Sequence, residues 1–508
     1  MSLETLNPYQ EEIDKPRDKC AIVGAMSLNG ENVAPMTRII LHAQQNRGED
    51  GAGIAALDAY SGTFRDYKAL GLVLAQAFPD GKLEEEGLMG SVAIGHNRYA
   101  TAGKRRDEVS TDKEKIECLQ PYTVSYNRRS ISVGHNGNIK QKYVDQMKRE
   151  LPPDIPYQSD TDSEVPAWRI IFAPGETMRD KVINGFDGII GAYAYVVATD
   201  EGEIFGITDP LGIRPLWYAE TENERFLVSE SRGLEYVPGM RRIEEIQGGK
   251  LVHIRRDGSM TVDQLFPEAQ MARCAVEALY LSHPFSYEGG MEIREKRRRM
   301  GIALAKERPF PQGYTVVGIP DSGYEIAEAY AEELNLQMIQ LIKKDRYRPG
   351  RTFINNSMSQ RDYDLDLKFT ISRAVEGRKL VGVDDTGIRG KTSSKLNERL
   401  RQMGALEIHD LKAAPHFVEP CDKGVDIATR DELIALESEG RGGYRERANE
   451  EIARETNADS VYFLSKEGLE WALSEERGSC MNCMGGVDPV GRLLASNPDA
   501  YRQILLPR

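Results

Sequence analysis

The sequence predicts an α+β half built on packed sheets, followed by an α/β half built on a parallel sheet. Three observations predict it. At 508 residues the chain exceeds what one compact core organises, so length alone favours more than one domain. From Lys19 to about Val262, short β-rich runs are broken by Gly, Asn and Asp: CAIVGAM, GSVAIGHNRYA, ISVGHNG, GAYAYVVAT, EIFGITD, RFLVSES and KLVHIRR. Beyond a polar stretch at 255–270, apolar strands alternate with amphipathic helices, the pattern of a parallel sheet.

The first nineteen residues mix acids, bases and two prolines without an apolar stretch, so they do not read as a signal peptide. In the first half few helices are expected; one is 35–45, with Met36, Ile39, Ile40 and Ala43 at helical spacing. The division falls near Asp263, giving units at 20–262 and 263–508 behind a leader at 1–19. In the second unit TVVGIP reads as a buried strand and DSG as its turn, with Ile326, Tyr330 and Leu334 as one helix face. KLVGV repeats the plan, followed by the loop DDTGIRGKT and a stripe of Leu396, Leu400 and Met403 that Gly404 closes. The charged stretch at 430–455 reads as a solvated helix face.

Composition excludes several classes. Sixty-six basic against eighty acidic residues give a net charge of −14, which argues against a broad nucleic-acid surface and makes any phosphate site local. Apolar runs such as 188–198 fall well short of the roughly 20 residues that span a bilayer. No membrane partner is expected, and the expected location is cytoplasmic. There, six cysteines serve as metal ligands, nucleophiles or core residues rather than as disulfides.

Two segments carry most of the chemistry. The loop Val383-Asp384-Asp385-Thr386-Gly387-Ile388-Arg389-Gly390-Lys391-Thr392 sets two carboxylates at a strand end and glycines at a helix start. Glycines let backbone approach a phosphate, and the helix dipole favours its charge. The carboxylates accept from ribose hydroxyls or sit beside a Mg2+ that neutralises pyrophosphate, while Arg389 and Lys391 add positive charge. Near the N-terminus, Cys20 opens a strand-like run, and a thiol becomes a nucleophile when a base takes its proton. A free α-amine, of pKa roughly 7.7–8, does so on the same residue. Apart from Cys20 and Cys118, four thiols remain, Cys274, Cys421, Cys480 and Cys483, the ligand count of a cubane cluster or of a structural zinc. Buried, unliganded thiols are the third reading. Cys118, in a charged stretch, is assigned no role, and the histidines show no HExxH spacing.

Together these motifs resemble the amidophosphoribosyltransferases, whose glutaminase half is a class II glutamine amidotransferase. The resemblance runs from Cys20 to about Pro489 and rests on QNRGED, GHNRY, HNGN, 159–165, PDSG, DDTGIRGKT and CxxC, all in order. It implies an αββα Ntn-hydrolase sandwich followed by a phosphoribosyltransferase domain. It also implies removal of 1–19, Cys20 as nucleophile, and Asn136 and Gly137 as oxyanion donors. Glutamine would be held by Arg98, Asp162 and Arg47; phosphoribosyl pyrophosphate by Asp384, Asp385, Thr386, Arg389, Gly390, Lys391 and Thr392, under a basic lid at 343–351 that begins with Lys343. Ser322 would join Asp384 and Asp385 at Mg2+, and the four cysteines would hold a 4Fe-4S cluster. The implied reaction opens purine synthesis, with purine nucleotides as feedback inhibitors and a homo-oligomer as the assembly. The chain departs from the pattern at Ala21, Asn46, His283, Phe285, Gly387 and Lys391. Two other readings compete: a class II amidotransferase making an aminosugar or asparagine, and a non-catalytic regulator that binds phosphoribosyl pyrophosphate or nucleotides.

Overall fold

The computed structural model describes residues 20–505, apart from 59, 99–110, 345–368, 426, 428, 441 and 474–477. The expected leader, and nearly all of the expected lid, lie outside the described residues.

The first half is a pair of antiparallel sheets packed face to face. One has seven strands in the order Arg242–Glu245, Trp217–Glu220, Glu224–Val228, Ala21–Ser27, Val92–Arg98, Gly51–Leu57 and Phe64–Leu70. The other has six, in the order Met260–Gln264, Lys250–Ile254, Ile204–Thr208, Gly191–Thr199, Arg129–Ile139 and Tyr122–Tyr126. Strand periodicity explains the layering, because alternate side chains point to opposite faces. Ile22 and Met26 of the central strand meet Ala194, Val196 and Ile204 between the sheets. Val23 and Ala25 point the other way, onto helix Ala34–Ala43 through Ile40 and Leu41. On the far side Val133 and Tyr195 pack against helices Gln141–Glu150, Val165–Phe172 and Met178–Gly185. The result is an αββα sandwich.

Those last three helices are more than the sequence pattern suggested. Val165–Phe172 is apolar almost all round, which leaves no periodicity to read, and Gln141–Glu150 buries only Val144 and Met147. The helix expected at 35–45 is present as Ala34–Ala43, with its buried face on Ala34, Thr37, Ile40 and Leu41. Thr37 is tolerated inside because its hydroxyl donates to Val33 O at 2.9 Å.

In the second half a parallel five-stranded sheet runs Gln337–Met338, Tyr314–Gly318, Lys379–Asp384, Glu407–Lys412, Ser460–Phe463. Helix Gly323–Leu334 buries Ile326 and Tyr330, and helix Lys391–Gln402 buries Leu396 and Leu400. Gly404 takes φ +92° just past the end of the latter helix. The stretch 430–455 is not one solvated helix. It forms a hairpin, Leu436–Gly440 with Gly443–Glu446, and then the short helix Asn449–Glu455. Gly440 and Gly442, both at φ +80°, permit the reversal that a charge count does not reveal.

The halves interlock. Strand Met260–Gln264 crosses the expected division, and Leu265 N–H donates to Gly249 O at 2.8 Å. The chain's last described stretch returns to the first half, where Tyr501 Oη donates to Gly191 O at 2.9 Å, and to the segment just past the division, where Ile504 N–H donates to Leu265 O at 2.8 Å. No helix among the described residues is long and apolar enough to cross a membrane.

Candidate active site

Cys20 stands immediately before strand Ala21–Ser27 and is partly exposed. The facing sheet brings the HNGN strand to the same end. Gly134 lies over Ile22, since a Cβ there would sit 3.3 Å from the Ile22 Cγ2, and His96 Nε2 is 3.1 Å from His135 O. The strand then runs toward Ile139, whose N–H donates to Asp162 Oδ2 at 2.7 Å. Arg98, in register beyond Ala21, acts electrostatically on Asp162.

Asn136 is buried, and its Nδ2 has no hydrogen-bond partner. A buried amide donor left unpaired costs free energy, which a bound oxyanion would recover. The next residue is obligatorily glycine. Gly137 has φ +145°, and a Cβ on it would lie 2.0 Å from Ala192 O.

Charge in this pocket is set by burial. Desolvation pushes Asp162 up to about 6 against the opposing Ile139 N–H, the Ser163 hydroxyl and Arg98. His96 and His135 are both held near 3, first by burial and then by neighbouring arginines. At that value neither imidazole is basic enough to draw a proton from a thiol. His135 stacks on Tyr195 at 4.2 Å and lies 2.9 Å from Ser163 Oγ, a packed rather than a reactive position. Arg98 NH1 donates to Cys118 O, so Cys118, given no role from the sequence, is a neighbour of this pocket.

Arg47 is placed differently from the expectation that it binds substrate. It is fully buried; Nε donates to Cys20 O at 3.0 Å, NH1 to Glu230 at 2.8 Å and NH2 to Glu277 at 2.9 Å. With two carboxylates and a carbonyl accepting from its guanidinium, it holds the Cys20 backbone. Glu277 belongs to a π-helical turn, Glu277–Leu281, of the second half, and it also accepts from Arg214 NH1 at 2.9 Å. Burial alone would raise its pKa, but Arg47 and Arg214 outweigh burial and hold it at about 2. Asn46, at a position of departure, donates to Glu230 Oε1 at 3.0 Å and so joins the same network. Sequence reasoning missed Arg214, Glu230 and Glu277. The one signal was a lone acid inside the apolar run Ala275-Val276-Glu277-Ala278-Leu279.

The second half-site is the end of strand Lys379–Asp384. Asp384, Asp385 and Thr386 are all buried. Asp385 accepts from Ser322 Oγ and, at 2.8 Å, from Thr386 Oγ1, so PDSG and DDTG meet as one polar cradle. Lys412 adds a cation that was not foreseen, with Nζ 3.5 Å from Asp384 Oδ2 and 2.9 Å from Ser393 Oγ. Gly390, at φ +73°, precedes helix Lys391–Gln402 with no capping side chain, and a Cβ there would meet Ile434 Cδ1 at 2.0 Å. Lys391 is exposed and Thr392 buried at the helix start, and Lys343 is exposed in strand Ile342–Lys344. Arg389, expected to face phosphate, is paired with Glu432 at 2.5 Å.

The four cysteines gather at the junction of the halves. Cys274 and Cys480 are register partners in a two-stranded parallel ladder, and Lys423 N–H donates to Cys421 Sγ at 3.4 Å. Burial raises the pKa of Cys483 well above the ordinary thiol value, and Cys421, Cys274 and Cys480 raise it further. The thiols share one neighbourhood. Among the described residues no group of three His, Cys, Asp or Glu side chains stands together as a metal site.

Comparison with known proteins agrees with this layout. A family model described as a glutamine amidotransferase domain matches residues 108–235. The amidophosphoribosyltransferase of Bacillus subtilis (strain 168) is 32% identical over 505 residues, covering 98% of both chains. That of Methanocaldococcus jannaschii is 32% identical over 93% of this chain and 98% of its own. The solved glutamine phosphoribosylpyrophosphate amidotransferase from B. subtilis, complexed with ADP and GMP, superposes with a TM-score of 0.80 at 31% identity, covering 92% of this chain and 97% of that one. Identity above 30% over nearly the whole of both chains, with a shared fold across both halves, shows that this chain belongs to the amidophosphoribosyltransferase family.

Proposed function

We propose that the chain releases ammonia from glutamine at Cys20 and joins it to the ribosyl carbon of phosphoribosyl pyrophosphate. One water is consumed, and the products are 5-phosphoribosylamine, glutamate and pyrophosphate, the first step of purine biosynthesis. The observation that carries this reading is the unpartnered, buried Asn136 Nδ2 beside Gly137, in a chain whose other half ends a parallel strand on Asp384 and Asp385.

In this reading residues 1–19 are a propeptide, 20–262 the glutaminase unit and 263–508 the phosphoribosyl unit. Once Cys20 is N-terminal, its α-amine takes the thiol proton, a task the weakly basic His96 and His135 do not perform. The thiolate attacks the amide carbon, Asn136 Nδ2 and the Gly137 N–H receive the oxyanion, and ammonia leaves behind a thioester that water opens. Arg98 meets the substrate carboxylate and Asp162 its ammonium. Asp384 and Asp385 accept from the ribose hydroxyls, and the 386–392 loop wraps the 5-phosphate. Mg2+, held beside Ser322, Asp384 and Asp385, supplies charge neutralisation for pyrophosphate when bound; such ions take only one or two carboxylates plus substrate oxygens. An all-thiol set of Cys274, Cys421, Cys480 and Cys483 suits a 4Fe-4S cluster or zinc as a structural staple. Purine nucleotides are the proposed feedback ligands, in keeping with the ADP and GMP of the solved relative, and the proposed assembly is a homo-oligomer.

The test is pyrophosphate release from phosphoribosyl pyrophosphate, with glutamine or ammonium as donor, on protein whose intact mass begins at Cys20. Turnover with both donors is expected; binding of phosphoribosyl pyrophosphate without turnover from either would favour the regulator reading.

A pH dependence follows from Asp162. The carboxylate must be charged to hold an ammonium, so protons compete with glutamine below its value of about 6. The KM for glutamine should rise as pH falls through about 6, approaching about tenfold per unit. Stability runs the other way: a raised folded pKa contributes fully below the unfolded carboxylate value, and that contribution is lost as pH rises through about 6. A flat KM from about pH 7 down to about pH 5 would detach Asp162 from the ammonium.

A further inference from the structure

The buried charges between the halves form a chain that ends on the nucleophile. Arg47 and Arg214 come from the first half, and both grip Glu277 of the second. Arg47 also meets Glu230, so two guanidiniums face two carboxylates, and none of these side chains is more than 2% exposed. On one side the chain continues to Cys20 O through Arg47 Nε. On the other, Arg214 Nε and NH2 donate to Lys423 O at 3.1 and 2.7 Å. The turn carrying Lys423 lies directly on the HNGN strand. Asn138 Nδ2 donates to Asp422 O at 2.9 Å, and a Cβ on Gly424 would stand 3.1 Å from the Gly137 carbonyl carbon.

One carboxylate therefore sits between the residue that fixes the nucleophile and the turn that backs the oxyanion strand. Held at about 2, Glu277 stays ionised at any working pH and carries no proton in the reaction. Its use is geometric. We propose that Glu277 is a positioning residue for glutamine cleavage: through Arg47 it fixes the Cys20 carbonyl, and with it the direction of thiol and α-amine. Through Arg214 it keeps the 421–424 turn seated behind Asn136 and Gly137. This inference rests on the glutaminase role proposed for Cys20.

The physical argument is charge balance in a dry site. Glu277→Gln keeps the shape but removes the carboxylate that Arg47 and Arg214 share, leaving Arg47 with Glu230, and an uncompensated buried charge rearranges its surroundings. Arg47 is then drawn toward Glu230, and its Nε leaves the line to Cys20 O. Small misplacements of reacting groups cost on the order of 100-fold in rate.

In the full-length Glu277→Gln protein, kcat for glutamine hydrolysis should fall on the order of 100-fold. The KM for glutamine should stay within about threefold, because Arg98 and Asp162 lie outside the network. Labelling of Cys20 by a diazoketone analogue of glutamine, read by intact mass, should slow in parallel. Ammonia-dependent pyrophosphate release, which bypasses Cys20, should stay near wild type. An unchanged labelling rate would overturn the proposal, and so would equal loss of both activities, which marks a merely structural residue. Should Glu277→Gln fail to accumulate as soluble protein, Glu277→Asp, which keeps the charge but withdraws it by one methylene, carries the same split, and a wild-type labelling rate there overturns it. Wild-type protein that hydrolyses no glutamine is a different result, since it removes the glutaminase reading itself.

Discussion

Cys20→Ala is expected to abolish glutamine-dependent synthesis, with a loss on the order of 10⁴-fold or more, while synthesis from ammonium salts persists. The two activities are expected to separate because the thiol and the 384–392 loop stand on different sheets. Cys20 precedes the central strand of the antiparallel sandwich, whereas Asp384 ends a strand of the parallel sheet. Removing one sulfur alters neither Ser322 on Asp385 nor Lys412 beside Asp384. The measurement is initial-rate pyrophosphate release with each donor at saturating phosphoribosyl pyrophosphate. Retained glutamine-dependent turnover would mean that another group attacks the amide. Loss of ammonium-dependent turnover as well would mean that Cys20 shapes the acceptor site.

Gly137→Ala is expected to be nearly as damaging to glutamine use, at about 10²- to 10³-fold, for a different reason. The new methyl would be 2.0 Å from Ala192 O and 2.7 Å from Tyr193 Cα, both backbone atoms of the paired strand. Neither is the end of a flexible side chain, so the strand itself must move. At φ +145° the alanine is also strained where glycine is not. Both effects displace the Gly137 N–H and the adjoining Asn136 amide, the two donors assigned to the oxyanion. Steady-state glutamine hydrolysis checks this, with ammonium-dependent synthesis as the control for folding. Wild-type glutamine hydrolysis would show that the oxyanion is held elsewhere.

Much of this molecule was legible before folding. The parallel half was readable because TVVGIP and KLVGV are continuous apolar strands, each closed by a turn and followed by a helix with one apolar face. PDSG and DDTG were read as partners, and the Ser322–Asp385 bond joins them. What escaped was whatever depends on a contact between distant parts of the chain. Arg47 looked like a substrate ligand because its partners, Glu230 and Glu277, lie 183 and 230 residues away. The ion pair of Arg389 with Glu432 escaped as well, because nothing local announces it. The hairpin within 430–455 escaped because charge patterning does not distinguish a solvated strand from a solvated helix.

The return of Tyr501 to the first half, and of Ile504 to the segment just past the division, bears on how the protein is born. Gly191 and Leu265 receive hydrogen bonds from Tyr501 and Ile504, residues that follow far later in the chain, 310 positions on in the case of Gly191. While the second half is still being made, the sheets of the first half therefore wait with one flank open, and their completion is a long-range event of the kind that folds slowly. A protein cut anywhere between the halves would lose more than an acceptor domain, because it would leave the first sheets without the strap that closes them.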